Sequence, residues 1–146
     1  MAKFMKMLNN ISRSQAVYRK QSLPDSDLCA AHHAFVFAIC REPGRTQDEI
    51  AKELCINKST AARNLNALEE NGYIERVPSP SDKRCLFVYP TDKMLSVLPK
   101  VQDVARDWMS ALSEGISEEE LEIFNSVLSR MQDRAKAIAF GEERGR

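Results

Sequence analysis

Residues 57–68 carry two cations, Lys58 and Arg63, and no acid. Beside them stand Ser59, Thr60 and Asn66, which hydrogen-bond without bulk or negative charge. Further along, Arg76, Lys83 and Arg84 add three more cations. Ammonium and guanidinium groups neutralise phosphates, and arginine and asparagine also make paired hydrogen bonds to base edges in the DNA major groove. The acids are sorted to either side, with Asp48, Glu49 and Glu53 before the segment and Glu69, Glu70 and Glu75 after it. A stretch cleared of carboxylates and followed by a basic loop is what phosphate contact and groove insertion require.

Such side chains need elements that hold them on one face. Thr46 and Glu49 form a capping box that starts a helix, with Ile50 and Leu54 facing inward and Ile56 in the turn that follows. Asn57 is an N-cap for a second helix running to about Asn71, which Gly72 closes by accepting positive φ. On a helical wheel Ser59, Ala62, Arg63 and Asn66 share one arc of roughly 100°, opposite Ala61, Leu65 and Leu68. Small residues there let the backbone approach bases. Arg63 can reach guanine N7/O6 or a phosphate, and Asn66 can pair with adenine. Lys58, Ser59 and Thr60 occupy the first turn, where backbone N–H groups favour phosphate. Two β-prone runs, residues 73–77 and 85–89, then flank a polar, turn-rich loop and read as a projecting hairpin. Lys83 and Arg84 near its tip can enter the minor groove or clamp phosphates, while Asp82 orients an arginine or caps the turn.

The remaining segments are helical. Phe4, Leu8 and Ile11 recur at helical spacing in a first helix over about 3–20, ended by turn chemistry at 23–27. A second, over about 28–41, is apolar nearly all round and belongs in the middle of a core. Residues 92–112 repeat apolar positions by three and four, with Pro99 expected to kink the helix. Ser117 and Glu120 form another capping box. After it, Leu121, Phe124, Leu128, Met131, Ala135 and Ile138 make a narrow seam suited to a facing helix. The expected fold is mainly α with a small β-hairpin. Three parts are expected: a dimerisation helix (1–27), a winged helix-turn-helix domain (28–93) and C-terminal dimerisation helices (94–146).

Composition narrows the function. The 146 residues hold 21 basic and 21 acidic groups, so there is no basic footprint over the whole chain and charge acts locally. The longest apolar run, residues 34–40, is too short to span a membrane. No apolar core follows Lys3 and Lys6 as a secretory signal requires, so a cytoplasmic location is expected. The four cysteines lack any C-x-x-C pair and the two histidines are neighbours, so no metal site or cofactor is expected. No glycine-rich phosphate loop or nucleophile–base pair suggests an enzyme. A winged helix that binds only protein would need an apolar or acidic outward face on residues 59–66, which is not present.

Taken together, Pro43-Gly44, Thr46-Gln47, Ile50-Ala51, Leu54, Lys58-Ser59-Thr60, Arg63, Leu68-Glu69, Asn71-Gly72-Tyr73-Ile74, Arg76, Asp82-Lys83-Arg84 and Pro90-Thr91 resemble the multiple antibiotic resistance regulator (MarR) family of winged-helix repressors. The resemblance implies a homodimer joined by its terminal helices and bound to pseudo-palindromic promoter DNA. It further implies that the 57–71 helix reads the major groove and the 76–89 wing reaches the minor groove. Lys58, Ser59, Thr60, Ala62, Arg63, Asn66, Arg76, Lys83 and Arg84 would be the DNA-binding set, with Asp82 as wing support. It also implies a small aromatic or phenolic effector, in a crevice lined by Tyr18, Arg19, His32, His33 and Phe35. The chain departs from the family's pattern at Ala62, where a hydroxyl is frequent, at Asn64, commonly apolar, and at Lys93-Met94, where glycine often follows the threonine. A cysteine-based redox sensor is the alternative regulator. The first helix has no cysteine for that role, leaving Cys29 and Cys55 as substitutes.

Overall fold

The computed structural model describes residues 2–24 and 26–141; the turn expected at 23–27 includes Asp25, which lies outside the described residues. The elements run α1 (Ala2–Ser22), α2 (His32–Arg41), β1 (Arg45–Thr46), α3 (Gln47–Glu53), α4 (Lys58–Glu70), β2 (Ile74–Pro78), β3 (Leu86–Pro90), α5 (Asp92–Leu112) and α6 (Glu118–Phe140). The chain divides into two compact units, Met1–Trp108 and Met109–Arg146.

Within the first unit, α2 is the central helix, as its composition requires. Phe35, Val36, Ala38 and Ile39 are buried, and α2 shares one core with Ile50 of α3, Leu65 and Leu68 of α4, Val88 of β3 and Met94 and Val101 of α5. The helix starts at His32, later than its apolar pattern suggests. The reason is local. The Cys29 N–H donates to His32 Nδ1 at 3.3 Å while the His32 N–H donates to the Cys29 carbonyl at 2.9 Å, closing a turn ahead of the helix.

The sheet has three strands in the order β1-β3-β2, all antiparallel, with Arg76 opposite Val88 and Arg45 also opposite Val88. The hairpin is where the pattern puts it, each strand about one residue later than expected. The two-residue strand β1 is an addition to that pattern, because a pair of residues carries no readable alternation. Gly44 makes this third strand possible. It has φ +84°, its N–H donates to the Val88 carbonyl at 2.8 Å, and a Cβ there would meet the Tyr89 hydroxyl at 3.0 Å.

Thr91 ties the base of the hairpin together. Its N–H reaches the Tyr73 carbonyl at 3.0 Å, and its hydroxyl lies 2.7 Å from the Gly72 carbonyl. α5 then runs through Pro99 without interruption. In the second unit α6 starts from the Ser117/Glu120 capping box, and none of its described residues is buried. Phe124 and Met131 of the expected seam are exposed, and Ile138 is 86% exposed. α1 likewise exposes Phe4, Met5, Met7, Leu8 and Ile11.

Candidate nucleic-acid interface

Helix α4 is fixed at both ends. The Asn57 side-chain oxygen accepts from the Thr60 N–H at 2.7 Å and from the Ser59 hydroxyl at 2.8 Å. At the far end Gly72 N–H donates to the Glu69 carbonyl (2.9 Å) and Tyr73 N–H to the Leu68 carbonyl (2.8 Å), the pair of bonds of a Schellman stop. Glu69 and Glu70 therefore fall in the last turn of α4, directly after its acid-free stretch. Ala61, Leu65 and Leu68 are buried, and this fixes the rotation of the helix. The opposite face presents Ser59, Arg63 and Asn66 to solvent, while Thr60 and Ala62 are half-buried.

The turn into α4 holds α3 and α4 together. Ile56 N–H reaches back to the Ala51 carbonyl at 3.1 Å, and Cys55 adopts φ +54°, a left-handed conformation uncommon for a residue with a side chain. On the α2 side, Arg45 and Arg41 both pair with Glu53, and Arg45 Nη2 also donates to the Ala38 carbonyl at 2.6 Å. Burial pushes the Glu53 carboxyl up, but the hydrogen bonds and charges of Arg45 and Arg41 together outweigh it and leave it below the usual range. Thr46 holds Glu49 in the same way. The hydrogen bonds from its backbone and hydroxyl, at 2.7 and 2.8 Å, lower the Glu49 carboxyl.

The expected contact residues differ in how free they are. Arg63, Lys83 and Arg84 are exposed, and their charged groups have no partner among the described residues. Lys58 pairs with Asp48 at 2.6 Å, both largely exposed; such a pair contributes about 0–1 kcal/mol and yields readily to a phosphate. Asp82 caps the wing turn. Its carboxylate accepts from the Arg84 N–H at 2.9 Å and its carbonyl from the Cys85 N–H at 2.9 Å. Arg76 is placed otherwise than the sequence suggests. Its side chain, 15% exposed, turns onto α4, where Nη1 donates to Asn66 Oδ1 at 2.8 Å and Glu69 Oε2 at 2.9 Å.

Over 92% of its length the chain superposes on the crystal structure of MarR, at TM-score 0.81 and 31% sequence identity, covering 91% of that chain. The chain belongs to the MarR family of transcriptional regulators. The family model described as "MarR family" matches residues 26–84, the stretch from ahead of α2 to the wing tip. The HTH-type transcriptional regulator YybA of Bacillus subtilis (strain 168) is 27% identical over 108 residues, 74% of this chain and 72% of that protein. A Listeria monocytogenes MarR-family regulator, solved in complex with 26mer DNA, shares the fold at TM-score 0.87 and 19% identity, over 97% of each chain.

The residues that the MarR resemblance assigns to an effector crevice fall into three settings. Tyr18 packs against Trp108, ring centroids 5.3 Å apart. Phe35 belongs to the core cluster. Arg19, His32 and His33 lie together: His32 and His33 are buried, and His33 Nε2 has no hydrogen-bond partner among the described residues. Burial, then the charges of Arg19 and His32, push the His33 imidazole down to about 4. Burial alone lowers His32 and Arg19. A separate open cavity of about 580 Å³ is lined by Ser22, Leu23, Tyr73, Lys93, Lys100 and Asp103 among others, and by none of the five expected residues. Sequence reasoning missed this cavity, the Arg41–Glu53–Arg45 cluster and the Arg76 bridge. Each joins residues from separate elements, and only the i,i+3 spacing of Asn66 and Glu69 hinted at one of them.

Proposed function

We propose that this chain is a homodimeric, sequence-specific DNA-binding repressor that places α4 in the major groove and the β2–β3 wing at the minor groove of a pseudo-palindromic operator. One observation carries the reading. Arg63 on α4 and Lys83 and Arg84 on the wing are exposed with no protein partner among the described residues, while Lys58 and Arg76 on the same elements are paired. The DNA complex of the Listeria monocytogenes relative supports the same use of the fold. Dimerisation accounts for the apolar side chains that α1 and α6 leave exposed, among them Phe4, Leu8, Ile11, Phe124, Met131 and Ile138. Half-sites then lie about 10 bp apart along one face of the duplex.

The test is fluorescence anisotropy with duplexes from the region upstream of the protein's own gene. Arg63→Ala and Arg84→Ala are expected to weaken binding. The wing variant lowers the salt slope by about 0.9 for each phosphate it no longer neutralises. Unchanged affinity in both variants, at low and high salt, refutes the proposal. Release by a small aromatic or phenolic acid completes it. The acid's carboxylate would be held by the half-buried Arg19, beside His32 and His33, and its ring by the neighbouring Tyr18–Trp108 pair. A ligand acts only by binding the released form more tightly than the bound one. Titrating phenolic acids into the complex without any change in affinity removes this part.

A further inference from the structure

The MarR resemblance puts Arg76 on DNA, but the geometry gives it another task. Asn66 lies on the exposed arc of α4, one turn beyond Arg63, where its amide faces the same side. That amide is not free to choose its orientation. Arg76 Nη1 stands 2.8 Å from Asn66 Oδ1, and because a guanidinium can only donate, the atom facing it must be the oxygen rather than the nitrogen. The second bond of Nη1, to Glu69 Oε2 at 2.9 Å, fixes the guanidinium from the next turn. Nη2 is buried.

We propose that Arg76 is a positioning residue that fixes the Asn66 amide and biases it to read base edges as a donor. This rests on the DNA-reading role above and specifies its chemistry. An unrestrained asparagine recognises adenine by accepting from N6–H and donating to N7. Here the carbonyl is engaged by a charged donor, a stronger bond than a neutral one, which leaves the NH2 group as the end of the amide opposite Arg76. An amide fixed with its donors toward the base favours edges made of acceptors, which means guanine O6/N7 first and thymine O4 second, over adenine N6 and cytosine N4. Arg76 also pairs with Glu69, which would otherwise place an unpaired carboxylate beside the DNA backbone.

The experiment is enrichment of bound sequences from a random duplex pool by the full-length wild type and by Arg76→Met, Arg76→Lys and Asn66→Asp. Wild type is expected to select guanine or thymine over adenine at one symmetric pair of positions. Arg76→Met frees the amide to rotate and shifts the guanine-to-adenine ratio toward adenine by about tenfold, at the scale of one base-pair discrimination. Arg76→Lys, which keeps a charged donor, shifts it less. Asn66→Asp keeps an acceptor for Arg76 but has no donors, and abolishes the preference, which locates it at Asn66; Arg76→Gln, whose amide can donate or accept and so no longer fixes Asn66, carries the test if Arg76→Met fails to fold. A merely structural arginine would lower affinity for all sequences alike and leave the preference unchanged, which overturns the proposal. Adenine selected by the wild type overturns it too. A wild type that enriches no sequence refutes the DNA-reading role itself, an outcome distinct from enrichment with unaltered preference.

Discussion

His33 makes stability depend on pH in a window where few other groups titrate. It is 1% exposed, its imidazole is held down to about 4 by burial and by Arg19 and His32, and the unfolded chain returns it to about 6.5. Above pH 6.5 the ring is neutral in both states and no proton is exchanged on folding. Between 6.5 and 4 the unfolded chain binds a proton that the folded one refuses, so stability falls as pH falls. Integrating one proton over that window, the loss reaches about 2 kcal/mol per chain at pH 5 and about 3 kcal/mol at pH 4. His32 is lowered by burial as well and acts in the same direction. The lowered carboxyls of Glu49 and Glu53 contribute stability that is lost only as pH drops below about 4.5, so the interval from 7 to 5 isolates the histidines. Urea unfolding followed by circular dichroism at pH 7 and pH 5, at one protein concentration, measures the loss. His33→Leu removes the largest part of it. A wild-type loss that His33→Leu does not reduce, or a His33 ring whose NMR titration centres near 6.5, refutes the reasoning.

Substitutions at three further positions probe the helix-turn-helix unit. Cys55→Gly relieves a left-handed backbone at φ +54°, and denaturant unfolding is expected to show a gain of about 0.5–1 kcal/mol, whereas β-branched Cys55→Val loses stability. Asn57→Ala removes the acceptor for Thr60 N–H and Ser59 Oγ and lowers stability by about 1 kcal/mol, with faster amide exchange confined to the first turn of α4. Leu65→Ala, at a fully buried position under the exposed face of α4, is expected to cost about 2–5 kcal/mol in the same unfolding assay.

What was legible in the sequence was local. Thr46/Glu49 and Ser117/Glu120 announced two helix starts through side chains three residues apart, and both boxes form as read. Asn57 and Gly72 bracketed α4, and its buried face at Ala61, Leu65 and Leu68 follows from their spacing. The start of α2 was misplaced because His32, a side chain with two nitrogens, competes for the Cys29 N–H and closes a turn that apolar periodicity cannot signal. β1 escaped because its pairing partner, β3, lies some forty residues further on and neither residue of the strand is diagnostic. At the site, the exposed cations were visible as types. Which of them are free was not visible, because that depends on partners brought together by folding.

That last distinction explains how a chain of zero formal charge offers a cationic face. Asp48 is held by Lys58, Glu53 by Arg41 and Arg45, Glu69 by Arg76, and Glu49 by the Thr46 backbone and hydroxyl. Each of these carboxylates sits on α3 or α4, near where phosphates would run, and each has its charge met by a neighbour on its own or an adjacent element. Arg63, Lys83 and Arg84 have no such counterpart among the described residues. Screening at physiological salt confines charge effects to about 8 Å, so a phosphate near the wing responds to Lys83, Arg84 and the neighbouring Asp82 and not to acids elsewhere in the chain. Balanced composition is therefore no argument against nucleic-acid contact. The relevant quantity is the charge left unpaired on the side of α4 that Leu65 and Leu68, by their burial, turn outward.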